Sequence, residues 1–566
     1  EALEYYRELA ARDGRFLPDL AMTLNNLGAA LADKGRLDEA IERYGEALEI
    51  RRELAARDGR FLPDLAGTLN NLGNALARKG RLDEAIERYG EALEILSSAK
   101  SMVHVPPVIY LKIAFGLRNL GKLEMADLSV REAIASIDPS ADALKNFSDD
   151  LAEMAVFLSK ENVEGSISLI RDAVSSFLRA LAGEPAYEPS PLPPHPLLIY
   201  ADSRFGLLLA RCYGGCERFE IDWEMLREWL RLFSRVMDFH MRYGELLHLV
   251  AAAKLVSTSR LGHLLESGII RDESHLEDPD RLMEDFLSYR VRLGEEFSSF
   301  LGGISGSLRR ILGGLEGPIV IQSLGLGQYF PLEFVEVDGE PLALRVPVAR
   351  SLGAEPTYGF SGTSIVFYSL GTRRELKYVP KEVEELSRIL GMDEGARVNA
   401  DELDEGDLLS EVRDAEILHY SGHGGIVEGI THMSSLRVGD KVIDYRFLRR
   451  MGRKRRLLAY YNACETGFLL QAPGQVDFYG LIPASLSVGF SAVIAPLLPI
   501  SDHLAYEHAT NFYRFLSQGR SVAEALMLTR RSILGREIST PWGERRVDIL
   551  DLWSIQLYGN PDASMG

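Results

Sequence analysis

The strongest constraint on this chain is that it repeats itself. Residues 1–21 (EALEYYRELAARDGRFLPDLA) return almost unchanged at 46–66, and residues 24–50 return at 69–95. Both matches share an offset of 45 residues. Leu27, Gly28, Ala30, Gly35, Ala40, Tyr44 and Ala47 come back as Leu72, Gly73, Ala75, Gly80, Ala85, Tyr89 and Ala92. Small residues at fixed points let two helices approach closely, and a glycine between them makes the turn. One unit cannot bury its own apolar face, so units must stack into a solenoid with a concave surface. A third, looser unit puts Gly121, Ala126 and Ala133 in register, and a fourth at 151–182 keeps only the apolar spacing, with Asn162 in the glycine position. The chain opens at Glu1, inside a unit and without Met, which leaves room upstream for more copies or a targeting segment.

The pattern resembles the tetratricopeptide repeat, in a long form with an extended linker. The resemblance implies an all-α solenoid over 1–183 that recognises a protein or peptide; the plainer alternative is a scaffold. Asn25, Asn26, Asn70 and Asn71 lie where such repeats clamp peptide backbone, and a solvated polar face accounts for them equally. Residues 184–196 (EPAYEPSPLPPHP) hold six prolines and read as a stiff, extended linker. Helical periodicity returns over 197–315, as in Trp223 to Leu230 and Leu246 to Ala253, so a helical connector is expected there. His240, His248 and His263 fall on its helical faces without metal-binding spacing.

Length and charge narrow the function classes. A chain of 566 residues exceeds a single core. The charge is 63 − 83 = −20, which argues against binding nucleic acid through phosphate neutralisation. It suits a basic partner, though solubility explains it as well. No apolar run is long enough to span a membrane. Three cysteines, Cys212, Cys216 and Cys464, speak against a disulfide framework and for a reducing compartment, hence a cytoplasmic location. Cys212 and Cys216 have no second ligand pair nearby and read as ordinary packed side chains.

From Gly317 the texture changes. Short β-branched runs at Ile319–Ile321, Ile365–Tyr368, Ile417–Tyr420, Leu457–Tyr461 and Ala492–Ala495 alternate with helical patterns at 380–391, 478–488, 503–517 and 521–534. This predicts an α/β domain over 316–566 with a mostly parallel sheet, whose ligands sit at the carboxyl ends of the strands. Two such ends run into glycine-flanked turns: Leu418-His419-Tyr420-Ser421-Gly422-His423-Gly424-Gly425, and Tyr461-Asn462-Ala463-Cys464-Glu465-Thr466-Gly467. A thiol has a pKa near ~8.5, and an imidazole beside it can take its proton and later protonate the leaving amine. Gly424 and the Cys464 amide suit an oxyanion. His419 and His423 are too far apart along a strand to chelate easily, so metal is discounted and no cofactor is called for.

At these residues the segment from about 300 to 566 resembles the CHAT domain, a peptidase family of the clan that holds caspases and separase. The His-Gly turn, the NACETG segment, Ala495 to Asp502, Gln518 to Leu526 and Trp553 to Pro561 carry the likeness, with Phe330 to Glu333 and Val379 to Glu384 upstream. The resemblance implies a caspase-like fold and a dyad with His423 as base and Cys464 as nucleophile. Gly424 and the backbone of Cys464 would form the oxyanion hole. It puts Asp502 in the P1 pocket, with Glu465 and Asp477 as weaker candidates, and so implies cleavage after a basic residue; a solvated N-cap for the following helix accounts for Asp502 equally. Where many members have Trp before this turn, the chain has Leu497 and Leu498. The family's setting implies prokaryotic defence or cell death. The expected partners are a protein substrate, pore-forming or regulatory, and a regulatory protein or nucleoprotein complex held by the repeats. The alternatives are a catalytically silent interaction scaffold and a metal-dependent hydrolase using His419 and His423.

Overall fold

The computed structural model describes residues 2–99, 103, 105–135, 163–168, 170–171, 195–202, 206–212, 215–221, 223–251, 269, 272, 279–304, 306–325, 329–351, 360, 363–370, 376–427, 433–439, 441–463, 480–540 and 543–565. The chain divides into two compact units, Glu1–Ser190 and Pro191–Gly566.

The first unit is helical. Helices α1 (Ala2–Arg12), α2 (Leu17–Asp33), α3 (Leu37–Arg57), α4 (Leu62–Arg78), α5 (Leu82–Ala99), α6 (Pro107–Asn119) and α7 (Leu123–Ala135) follow one another. Helices α2 and α4 each carry proline in the first turn, where its missing N–H is not needed. Gly35, Gly80 and Gly121 make the turns at φ of 75°, 84° and 70°, a region glycine enters without penalty. The expected third unit is present as α6 and α7. Most of the fourth lies outside the described residues. What locks the units is aromatic-on-glycine contact. A Cβ on Gly28 would lie 2.8 Å from the Tyr44 ring, and Cβ atoms on Gly73 and Gly116 would lie 2.7 and 2.4 Å from the Tyr89 ring. Tyr89 therefore ties the second unit to the third, and its hydroxyl donates to Asn74 Oδ1 at 2.6 Å.

The second unit is built on one sheet of eleven strands. In chain order they are β1 (Leu197–Asp202), β2 (Gly206–Cys212), β3 (Gly215–Ile221), β4 (Ile319–Gly325), β5 (Val348–Arg350), β6 (Ser364–Tyr368), β7 (Arg397–Asn399), β8 (Ile417–Ser421), β9 (Arg456–Asn462), β10 (Phe490–Pro496) and β11 (Ile555–Gly559). Their order across the sheet is β3-β2-β1-β4-β5-β11-β10-β9-β8-β6-β7. The strands β7, β6, β8, β9 and β10 are mutually parallel, and so are β1, β4, β5 and β11. The two parallel sets meet at the antiparallel pair β10–β11. Both β9 and β10 are buried at every position, as strands covered on two faces must be. The mostly parallel α/β sheet expected from the sequence is there.

One expectation fails. The stretch 197–315 is not a helical connector. Its first part is the meander β1–β2–β3, and β1 pairs in parallel with β4 inside the main sheet. Its helices Trp223–Ala251 and Pro279–Gly303 pack on the C-terminal end of the chain. Trp229 lies 5.6 Å from Trp553 and 6.0 Å from Phe330, and Phe297 lies 5.3 Å from Trp553. Buried Arg290 bridges Asp548 at 2.8 Å and Asp551 at 2.7 Å, both on the helix turn before β11. Helices are present in this stretch, at Trp223–Ala251 and Pro279–Gly303, but they are preceded by three strands whose residues alternate only weakly. Cys212 and Cys216 flank the turn of the β2–β3 hairpin.

Two stability predictions follow from buried groups. Gly73→Leu drives a side chain into the pinned Tyr89 ring and should cost about 1–3 kcal/mol. Gly45→Ala has open space and should be neutral or slightly stabilising; chemical denaturation of the two variants compares them. Burial holds His240 and His508 down to about 3, with Arg290 and Arg530 respectively adding to the effect. Their folded-state values lie below the unfolded one, so their contribution is present above about pH 6.5 and is lost as pH falls toward 3. His508→Gln should flatten the acid limb of stability against pH by about one proton, near 1.4 kcal/mol per pH unit.

Candidate functional site

The chain runs from β6 out to β7 and then returns across β6 to β8. At such a switch point the connections leave toward opposite sides, and a crevice opens past the carboxyl ends of the strands. Here that edge carries Ser369 after β6, Gly422 after β8 and Asn462 at the end of β9. Ser369 N donates to Ser421 O at 3.1 Å, and Gly422 N donates to Asn462 O at 3.4 Å. Ser421 stands opposite Asn462 in the β8–β9 register.

His423 begins a small antiparallel sheet formed by 423–427, 433–438 and 441–443. Its entry is held by a neighbour on β8. The buried Tyr420 hydroxyl lies 3.0 Å from His423 O and 2.7 Å from Arg437 O, so its proton serves both strands of the hairpin. Burial pushes the Tyr420 phenol well above its ordinary range, keeping it a donor. Gly422 is required by the same contact, because a Cβ there would lie 2.5 Å from that hydroxyl and 3.1 Å from Ser369 O. Ser369 donates to Asp401 Oδ1 at 2.6 Å, and Asp401 Oδ2 accepts from Leu370 N at 2.8 Å. His423 and Gly424 are half-buried, and Gly424 stands opposite Leu436.

On the β9 side, Asn462 is buried and donates from Nδ2 to both oxygens of Glu382 at 2.8 Å and to Ala505 O at 3.0 Å. Glu382 lies in the first turn of the helix Val379–Leu390. His419 is fully buried, with Nε2 2.8 Å from Glu382 Oε1 and Nδ1 3.3 Å from the Tyr513 hydroxyl. Both its ring nitrogens are thus occupied within the core, on elements away from the His423 hairpin. Cys464, Glu465 and Asp477 lie outside the described residues.

Asp502 opens the helix Asp502–Leu516, whose N-cap is Ser501. It is half-buried and accepts from Tyr378 N at 2.7 Å. Burial raises its carboxyl above the usual range, against the pull of that backbone N–H. Beside it, Tyr378 stacks on His503 at 4.4 Å, and Lys381 lies 4.8 Å from the same tyrosine ring. Three residues into this helix, Ala505 receives the Asn462 bond, so Asp502 and the end of β9 adjoin one helical turn. In the repeats, Asn71 Nδ2 donates to Asn25 Oδ1 at 3.1 Å, linking consecutive units, while Asn70 is buried and Asn26 exposed.

Residues 339–559 match the CHAT domain model, and residues 20–58 and 66–98 match tetratricopeptide repeat models. The chain carries a CHAT domain and tetratricopeptide repeats. The β6–β11 strands and the His423 hairpin all fall inside the CHAT match. Repeats of this family point to protein–protein interaction, and among the described residues no helix is long and apolar enough to cross a membrane. No curated protein matches the chain. Among solved structures, BtubC (BKLC) from P. vanneervenii is 23% identical over 32% of this chain and 76% of its own, with a TM-score of 0.24. Two structures of the Saccharomyces cerevisiae separase–securin complex are 11% and 10% identical over 98% of this chain and 48% of theirs, with TM-scores of 0.41 and 0.44. The chain spans about half the length of those separase chains, and superpositions this loose carry neither fold nor function across.

The residues that sequence reasoning passed over are Glu382, Tyr420, Asn462 and Tyr513. Glu382 had one available signal: it falls on the stripe Val379, Val383, Leu386 that the helix buries. For the Gly422 contact, Gly422→Ala should lose about 1–3 kcal/mol. Tyr420→Phe should lose a similar amount, because two carbonyls forfeit their donor. The double variant should lose less than the sum, since removing the hydroxyl makes room for the methyl; thermal unfolding of all three tests this.

Proposed function

We propose that this chain is a cysteine endopeptidase with His423 as general base and Cys464 as nucleophile. The observation that carries the reading is the register of β8 and β9. Ser421 stands opposite Asn462 at the switch-point edge, and each is followed two residues on by one member of the pair. Catalysis needs base and nucleophile within hydrogen-bond reach, which two neighbouring parallel strand ends favour. The CHAT match supports the same class. His423 accepts the thiol proton and returns it to the leaving amine, while the Gly424 and Cys464 amides receive the oxyanion.

A basic P1 residue is the specificity we infer. Asp502 lies one helical turn from the Asn462 contact and is an acidic group at the edge where β9 ends. Glu465 and Asp477 are further acidic candidates by sequence. The repeats bind a regulatory partner, a role we assign to Asn25, Asn26 and Asn71; Asn70 is buried within the solenoid and takes no part. A role in prokaryotic defence or cell death, with a protein substrate and a cytoplasmic location, completes the proposal.

A fluorescent arginyl acyloxymethyl ketone tests it. Cys464→Ala and His423→Ala should abolish labelling of the full chain, and Asp502→Asn should cut the preference for arginyl over norleucyl probe by about tenfold. Equal labelling of His423→Ala and the unaltered chain contradicts the dyad. Unchanged preference in Asp502→Asn, with lowered stability, leaves Asp502 as a brace for Tyr378 alone.

A further inference from the structure

We propose that Glu382 is a positioning residue for the end of β9, two residues before Cys464 in sequence, acting through Asn462. The proposal rests on the dyad reading above. Glu382 is 1% exposed, and its carboxyl group accepts three hydrogen bonds within the core. Oε1 accepts from His419 Nε2 and Asn462 Nδ2, and Oε2 accepts from Asn462 Nδ2, each at 2.8 Å. Nδ2 also donates to Ala505 O at 3.0 Å. Glu382 thus joins β8 through His419 to β9 through Asn462, and Asn462 in turn reaches the helix Asp502–Leu516 at Ala505 O. By sequence, His423 follows His419 by one short turn, Cys464 follows Asn462 by two residues, and Asp502 precedes Ala505 by three.

The chemistry fixes the orientation. With two acceptor oxygens facing it, Asn462 must present its nitrogen, because a flipped amide would set oxygen against oxygen. Among the described residues, Asn462 Oδ1 is buried without a hydrogen-bond partner. A stability-driven core would not keep it. An apolar cluster of the same volume avoids both the desolvation of Glu382 and this orphan acceptor. What the polar arrangement supplies is a single allowed position for the last residue of β9. The titratable groups around Glu382 are His419 on β8, Tyr460 on β9, and Tyr513 and Asp502 on the long helix.

The test uses the full chain and the arginyl acyloxymethyl ketone, following labelling of Cys464 between about pH 5 and pH 9. Glu382→Gln preserves volume but sets a donor against Asn462 Nδ2. It should lower the maximal labelling rate about tenfold to a hundredfold while leaving the half-saturating probe concentration within about twofold. Asn462→Asp sets carboxyl against carboxyl, and one shared proton restores the missing donor. Its labelling relative to the unaltered chain should therefore rise as pH falls. A purely structural role would lower thermal stability and leave this pH profile unmoved. Glu382→Gln labelling at the unaltered rate, while His423→Ala labels poorly, overturns the proposal and leaves the dyad standing. If the unaltered chain labels no faster than His423→Ala, the dyad itself fails. Amide hydrogen exchange at Asn462 and Ala463 then decides: Glu382→Gln must accelerate it, and unchanged exchange overturns the proposal. Should Glu382→Gln not fold, the Asn462→Asp pH profile decides by the same criterion.

Discussion

The pairing of β8 with β9 is the constraint on which the rest of the site depends. Both strands are buried on two faces, so their register is pinned by packing on either side; a slip of one residue would carry every buried side chain to the wrong face. In the observed register Ser421 faces Asn462, and the chain leaves both strands at the same height. Everything catalytic in the proposed mechanism follows from that coincidence of two strand ends. The Tyr420 hydroxyl and Gly422 then set the direction in which the His423 hairpin departs.

Around this pairing the sheet is divided. The five strands from β6 to β10 form a doubly wound half with its switch point beside His423. The other parallel set, β1, β4, β5 and β11, runs in the opposite sense and joins at the β10–β11 seam. The aromatic cluster about Trp229 and Trp553, with the Arg290 ion pairs, fastens the middle of the chain to that second half. The middle is therefore part of the body that supports the site rather than a spacer leading to it.

Much of this was legible from the residues. The 45-residue duplication, with small residues recurring at fixed points, is legible as a helical solenoid, whereas the seating of Tyr44 on Gly28 and of Tyr89 on Gly73 appears only in the structure. The strands β8, β9 and β10 stood out because buried parallel strands are continuous apolar runs. The strands β2 and β3 did not, since Gly206 to Ile221 mixes charged and apolar residues without strict alternation. The partnership of Glu382 with His419 and Asn462 was also hidden. It joins residues 37 and 80 positions apart, and nothing local requires a carboxylate in that helix. Only the family resemblance implies a pocket role for Asp502, and its bond to Tyr378 N gives it a bracing role that no pattern announces.

The central claim is that His423 acts on the Cys464 thiol. The direct measurement is the rate of Cys464 alkylation by iodoacetamide as a function of pH, compared between the full chain and His423→Ala. The account predicts a thiolate that forms well below the ordinary midpoint of about 8.5 in the unaltered chain and returns toward it in the variant. Superimposable profiles, each centred on the ordinary thiol value, would contradict it.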